Sequence, residues 1–80
     1  METKEITRLL IDIVAFSLCV SRETISLDNR LVEDLNADSL DLIDILLNID
    51  KQFGLRIEPE EAETIRTVGE LFNRVAREVA

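Results

Sequence analysis

Between Lys4 and about Leu18, the apolar residues fall at Ile6, Leu9, Leu10, Ile13, Val14 and Leu18. This spacing marks one face of a 3.6-residue period and predicts a first helix, with Thr3 placed to cap it. The period is then lost over about residues 20–37, a stretch rich in Ser, Thr, Asp and Asn. Connections longer than about 12–15 residues usually carry a function or short structure of their own. Val20, Ile25, Leu31 and Leu35 are the side chains able to pin this one to a core, and Arg22 and Arg30 read as solvated charges. Periodicity resumes at Ser39 and predicts a second helix to about Phe53, with Gly54 as its left-handed stop. Arg56 to Glu63 reads as a turn into a short helix, with Pro59 at or near its first position. Thr67-Val68-Gly69-Glu70 matches a capping box. It opens a last helix through Leu71, Phe72, Val75 and Val79, with Arg74 and Arg77 toward its negative end. The expected fold is all-α: a small four-helix bundle of three main helices and one short one, in a single domain over 1–80, with a long loop between helices 1 and 2.

The second helix carries two apolar faces. At 100° per residue, Leu42, Ile45, Leu46, Ile49 and Phe53 share an arc of about 100°, which is the expected core stripe. Leu40, Ile43 and Leu47 share a second arc of about 60° on the other side, with Asp41 and Asp44 on one flank and Asp50 on the other. A small domain cannot bury both stripes without also burying those acids. The second stripe is therefore expected to be an exposed contact surface, apolar and rimmed by carboxylates.

Composition narrows the function. A chain of 80 residues hides only roughly 60–65% of its unfolded surface, and an apolar share of 46% is enough to fill so small a core. Two Gly, one Pro and no Trp or Tyr agree with helices. Seventeen acids against nine bases give a net charge of −8, which argues against nucleic acid as a partner and for cationic patches on other proteins. The charge is also localised, because residues 33–63 hold ten acids and only Lys51 and Arg56. Carboxylates crowded in this way disfavour one another's ionised form, so their folded pKa values are expected to lie on balance above the unfolded ones. Cys19 is the only cysteine; it allows no intrachain disulfide and, near a helix end, is expected to fill core. The N-terminus lacks a basic start and a small-residue cleavage site, and no apolar run suits a membrane span. The expectation is a cytoplasmic monomer without stable membrane insertion.

No histidine is present, so a Ser-His-Asp relay and any His-based metal site are excluded. Asp38, Asp41 and Asp44 lack the alternating pattern and central glycine of a calcium loop, and no dedicated metal site is expected. Asp38 is a good N-cap and Ser39 follows it at the first helical position, so one hydroxyl stands at the mouth of a helix in acidic surroundings. Ser39 has no internal base to activate it, and any chemistry there needs an outside enzyme. The chain is therefore not expected to be an enzyme.

The run Leu31-Val32-Glu33-Asp34-Leu35-Asn36-Ala37-Asp38-Ser39-Leu40-Asp41-Leu42-Ile43 resembles the signature of acyl carrier proteins, and the resemblance extends from about Ile6 to Val79. In that family an Asp-Ser-Leu triplet presents the serine that receives 4'-phosphopantetheine. The resemblance implies that a phosphopantetheinyl transferase modifies Ser39, with Asp38 as helix cap and as a contact for the magnesium used in the transfer. It implies an acyl thioester on the arm's thiol, delivered to acyl-transferring and condensing enzymes with basic docking patches. Their docking face would be Leu40, Asp41, Ile43, Asp44, Leu47 and Asp50. The acyl chain would lie among Ile45, Leu46, Ile49, Ile57, Ile65 and Leu71. Asn36 stands where the family usually has glycine, and Asn tolerates the left-handed conformation. Asp50-Lys51-Gln52 replaces a frequent run of glutamates, and the Gly-Gly-x-Ser context of peptidyl carriers is absent. Fatty acid, lipid and polyketide synthesis all stay open. The alternative is an acidic helical interaction module whose Ser39 is never modified.

Overall fold

The first helix, α1 (Thr3–Leu18), buries Ile6, Leu10 and Val14 completely and supplies one wall of the core. The structure, a computed structural model, describes residues 2–79. Thr3 does not cap α1. Glu2 holds the N-cap position in extended backbone without a side-chain bond. The helix starts one residue early because Ile6 N–H already donates to the Glu2 carbonyl at 3.0 Å. At the other end Cys19 adopts the left-handed conformation, φ 56°, and its N–H closes the helix on the carbonyls of Ala15 and Phe16. That cap turns Cys19 off the buried stripe, so it is exposed rather than core.

The second helix, α2, runs Ser39–Phe53 and stops at Gly54, φ 67°, whose N–H bonds the Asp50 carbonyl at 2.8 Å. A single turn, α3 (Pro59–Ala62), begins on its proline. The last helix, α4 (Val68–Val79), buries Val68, Leu71 and Val75. Its capping box is formed: Thr67 Oγ1 accepts from Glu70 N–H and Glu70 Oε1 accepts from Thr67 N–H, both at 3.0 Å. α1 packs against α2 and α4. Ile45 and Ile49 of α2, Ile57 after it, and Ile25, Leu31 and Ala37 from the long loop complete one continuous buried cluster. Among the described residues the architecture is all-helical, with three main helices, a short fourth and a long connection between the first two.

That connection is built rather than slack. A 3₁₀ turn at Arg22–Thr24 follows α1. Arg22 is not merely solvated, since its guanidinium meets Asp12 on α1 at 2.7 Å. Arg30 is likewise engaged, with Asp34 at 3.4 Å and Glu33 at 3.9 Å. Backbone bonds then stitch the loop to the start of α4: Leu31 N–H to Arg66 C=O, Val68 N–H to Asn29 C=O, and Gly69 N–H to Leu27 C=O, at 2.8, 3.0 and 2.8 Å. Through these bonds the base of α4 fixes the position of the segment that leads into Ser39.

Candidate functional site at the start of the second helix

The approach to Ser39 is a tight turn. Asp34 and Leu35 N–H both reach the Arg30 carbonyl, and Asn36 N–H reaches that of Val32. Asn36 then reverses the chain with φ 58°. Ala37, 4% exposed, sits on the core and bonds the Leu31 carbonyl at 2.9 Å. With Ala37 anchored, Asp38 takes the extended conformation of an N-cap (φ −102°, ψ −177°). Its carboxylate accepts from Asp41 N–H at 2.8 Å, and Asp41 returns the bond to Asp38 N–H at 3.1 Å. The reciprocal box occupies both carboxylates and two backbone donors. Ser39 is the first residue of α2 and is exposed. Its N–H and that of Leu40 are the first-turn donors left over by the box, which suits a phosphate joined to the serine oxygen.

Ser39 also stands on the rim of a cavity of about 210 Å³ between α2, α3 and the start of α4. Ile45, Leu46, Ile65 and Leu71 line it, together with Leu31, Leu42, Ile43, Pro59, Ala62 and Glu63. The volume exceeds the roughly 150 Å³ of a dry cavity that accepts benzene, so a short aliphatic chain fits. Ile49 and Ile57 lie elsewhere. Ile49 is one turn beyond Ile45 and wholly taken up by core packing, and Ile57 lines a neighbouring pocket with Leu46. Of the other lining residues, Leu42 and Ile43 come from α2, while Leu31, Pro59, Ala62 and Glu63 come from the loop and from the short helix and its end, whose facing no period reports.

The second stripe of α2 faces out: Leu40 is 76% exposed, Leu47 57% and Ile43 53%. Asp44 and Asp50 beside it are exposed, and Asp41, tied into the cap, is half-buried. Ile43 touches both features, lining the cavity while half its surface meets solvent. Val32, 53% exposed, adds an apolar side chain near the site that the loop's polar composition concealed. Asp38, Asp41 and Asp44 form no metal cluster, and no group of three metal-binding side chains occurs among the described residues.

Four carboxylates, two of them within the acidic stretch, are governed by local hydrogen-bond donors. Asp34 is held below the usual carboxylate range by the Arg30 backbone N–H and then its guanidinium. Glu61 is lowered chiefly by a hydrogen bond from Arg74. Glu70 is lowered by the N–H groups of Arg66 and Thr67, and Glu23 by the Ser21 hydroxyl. Every carboxylate with a clear shift moves down, opposite to the direction that crowding alone predicts. The cause is that local donors lie closer than neighbouring acids.

Comparison with known proteins agrees with this geometry. The family described as "Phosphopantetheine attachment site" matches residues 8–75. An acyl carrier protein of Syntrophobacter fumaroxidans is 38% identical over 71 residues, covering 89% of this chain and 88% of its own. One of Chlamydia trachomatis serovar D is 38% identical over 63 residues, 79% of this chain and 82% of its own. One of Amoebophilus asiaticus is 33% identical over 76 residues, 95% of each.

Proposed function

The chain belongs to the acyl carrier protein family, whose phosphopantetheine-attachment region it matches over residues 8–75, and from that premise we propose that Ser39 is the residue that carries the group. The family's members are carriers, and this chain is one rather than an enzyme. The observation that carries the assignment is the exposed Ser39 at the first position of α2, on the rim of an apolar cavity. When attached, 4'-phosphopantetheine supplies a thiol on a long arm, to which acyl groups are joined as thioesters.

The protein's own residues do the rest. The Asp38–Asp41 box fixes the helix end, so that a transferase meets the hydroxyl in one orientation. Asp38 is also the carboxylate best placed to share the magnesium of that transfer. The first-turn N–H groups favour the phosphodiester's charge. Leu40, Ile43 and Leu47, with Asp41, Asp44 and Asp50, form the face offered to acyl-transferring and condensing enzymes with basic patches. Ile45, Leu46, Ile65 and Leu71 shelter the acyl chain. Fatty acid synthesis is the pathway most typical of such carriers, with specialised lipid or polyketide assembly open to the same chemistry. We take the protein to act as a single domain and a monomer, in the cytoplasm; among the described residues no helix is long and apolar enough to cross a membrane.

Incubation with a phosphopantetheinyl transferase, magnesium and coenzyme A, followed by mass spectrometry, tests the assignment. One phosphopantetheine is expected on the wild type and none on Ser39→Ala. A modified Ser39→Ala refutes Ser39 as the attachment residue, and an unmodified wild type beside a control carrier that is modified leaves the interaction module as the better reading.

A further inference from the structure

The cavity beside Ser39 has one wall unlike the others. α3 is a single turn with no fully buried residue, and its residues border three adjoining spaces. Pro59 borders both the Ser39 cavity and a neighbour of about 250 Å³. Ala62 borders the cavity and a second neighbour of about 460 Å³. Ile43 and Leu46 of α2 share the first of these borders, and Leu31, Leu42 and Ile65 the second. A shift of α3 away from α2 would therefore widen the passage past them, while the walls made by α2 and α4 stay anchored by Ile45 and Leu71, 1% and 2% exposed.

The side-chain tie from α3 to the rest is charged. Glu61 bonds Arg74 of α4 through both of its oxygens, to Nε and, at 3.3 Å, to Nη2, with Arg77 at 3.9 Å. The Arg74 side chain is only 15% exposed, and its Nη1 is held by Glu78 at 3.0 Å, so the guanidinium is fixed before Glu61 meets it. A paired-oxygen contact to a pre-positioned guanidinium is directional as well as attractive.

We propose that the Glu61–Arg74 ion pair is a latch on α3 that sets how long an acyl chain the cavity beside Ser39 encloses. The proposal rests on the carrier reading for its cargo, though the latch itself is a property of the unmodified protein. Glu61 and Arg74 act as positioning residues, through α3 and not by touching the chain. With the latch closed, the carrier shelters a short chain; a longer one must open it or remain in solvent.

Hydrogen exchange on the unmodified full chain tests the latch first. The N–H groups of Ala62, Glu63, Thr64 and Ile65 are bonded within this turn and report its opening. Glu61→Gln is expected to speed their exchange roughly two- to fivefold, the range for an accessible ion pair, leaving Ile45 and Val75 unchanged. Glu78→Gln, which keeps an acceptor oxygen for Arg74 Nη1 and spares the Glu61 contact, is expected to leave the turn unchanged. Equal acceleration everywhere, or none at the turn, overturns the latch. The transferase and acyl-coenzyme A donors of increasing length then load Ser39, and thioester cleavage by hydroxylamine is followed. Wild-type protection is expected to end at a shorter chain than in Glu61→Gln, with Arg74→Lys between them. The same break point in all three overturns the chain-length claim. Failure to load at all refutes the carrier reading and the chain-length claim with it, while the exchange data still decide the latch.

Discussion

A glycine inside a helix ordinarily weakens it by about 1 kcal/mol relative to alanine, yet Gly69 occupies the first turn of α4. A Cβ there would stand 2.9 Å from the Leu27 carbonyl oxygen, the same atom that accepts the Gly69 N–H. Backbone cannot swing aside as a side-chain tip can. Gly69→Ala is therefore expected to destabilise by about 1–2 kcal/mol net of its propensity gain, as read by denaturant melts. Gly54→Ala meets nothing within 4 Å and carries only the left-handed strain at φ 67°, roughly 1–2 kcal/mol. A Gly69→Ala protein more stable than wild type would show that the long loop is not stitched to α4 at that point. Residue-scale signals in the sequence divide along the same line. Asn36 and Gly54 announce left-handed backbone because their chemistry tolerates it. Cys19 takes the same conformation without any such mark, and Gly69 is needed for a neighbour far away in sequence.

At the scale of elements, α2 was legible because two independent signals coincide, a capping residue at Asp38 and a 3.6-residue period ending at a glycine. Its two faces separate as the angular arrangement requires: Ile49 is 0% exposed and Ile43 53%. Ile49→Asp is expected to place an unpaired charge in the core and cost several kcal/mol, enough to unfold a domain of this size. Ile43→Asp is expected to change stability by no more than about 1 kcal/mol while slowing transfer to partner enzymes. Comparable unfolding of both variants in urea would make the second stripe part of the core. Because Ile43 also borders the cavity, its substitution reaches two properties of the site at once. The stitches from the loop to α4 left no trace in the sequence, since they join backbone to backbone. The Glu61–Arg74 pair was equally hidden: thirteen residues apart, it spans a turn whose path no helical spacing predicts. Nearly half of the cavity wall is built from irregular segments of this kind, so the position of Ser39 at the start of α2 could be read while the shape of the space beside it could not.

For the whole molecule, the net charge of −8 and the individual carboxylates pull stability in opposite directions as pH falls. Protonation reduces long-range repulsion, but at physiological salt that repulsion is screened beyond about 8 Å. Against it stand Glu23, Asp34, Glu61 and Glu70, each with its folded pKa below its ordinary value of 4.5, or 3.8 for Asp34. A group with a depressed folded pKa contributes stability above its unfolded pKa and loses it as pH falls through the folded one. These four should therefore give no change between pH 7 and 5 and a loss below about 4.5. What is lost is specific: the hydrogen bonds that hold the turn before Ser39, the latch on α3 and the cap of α4. Thermal melts at moderate salt are expected to be flat from pH 7 to 5 and to drop below about pH 4.5. Glu70→Gln supplies the discriminating variant, because glutamine can still accept from the Thr67 N–H but does not titrate there. It should start slightly less stable and lose less on acidification than the wild type. A melting temperature that climbs steadily from pH 7 to 4, with Glu70→Gln running parallel, would mean that repulsion among the acids governs the fold and that their local hydrogen bonds contribute little.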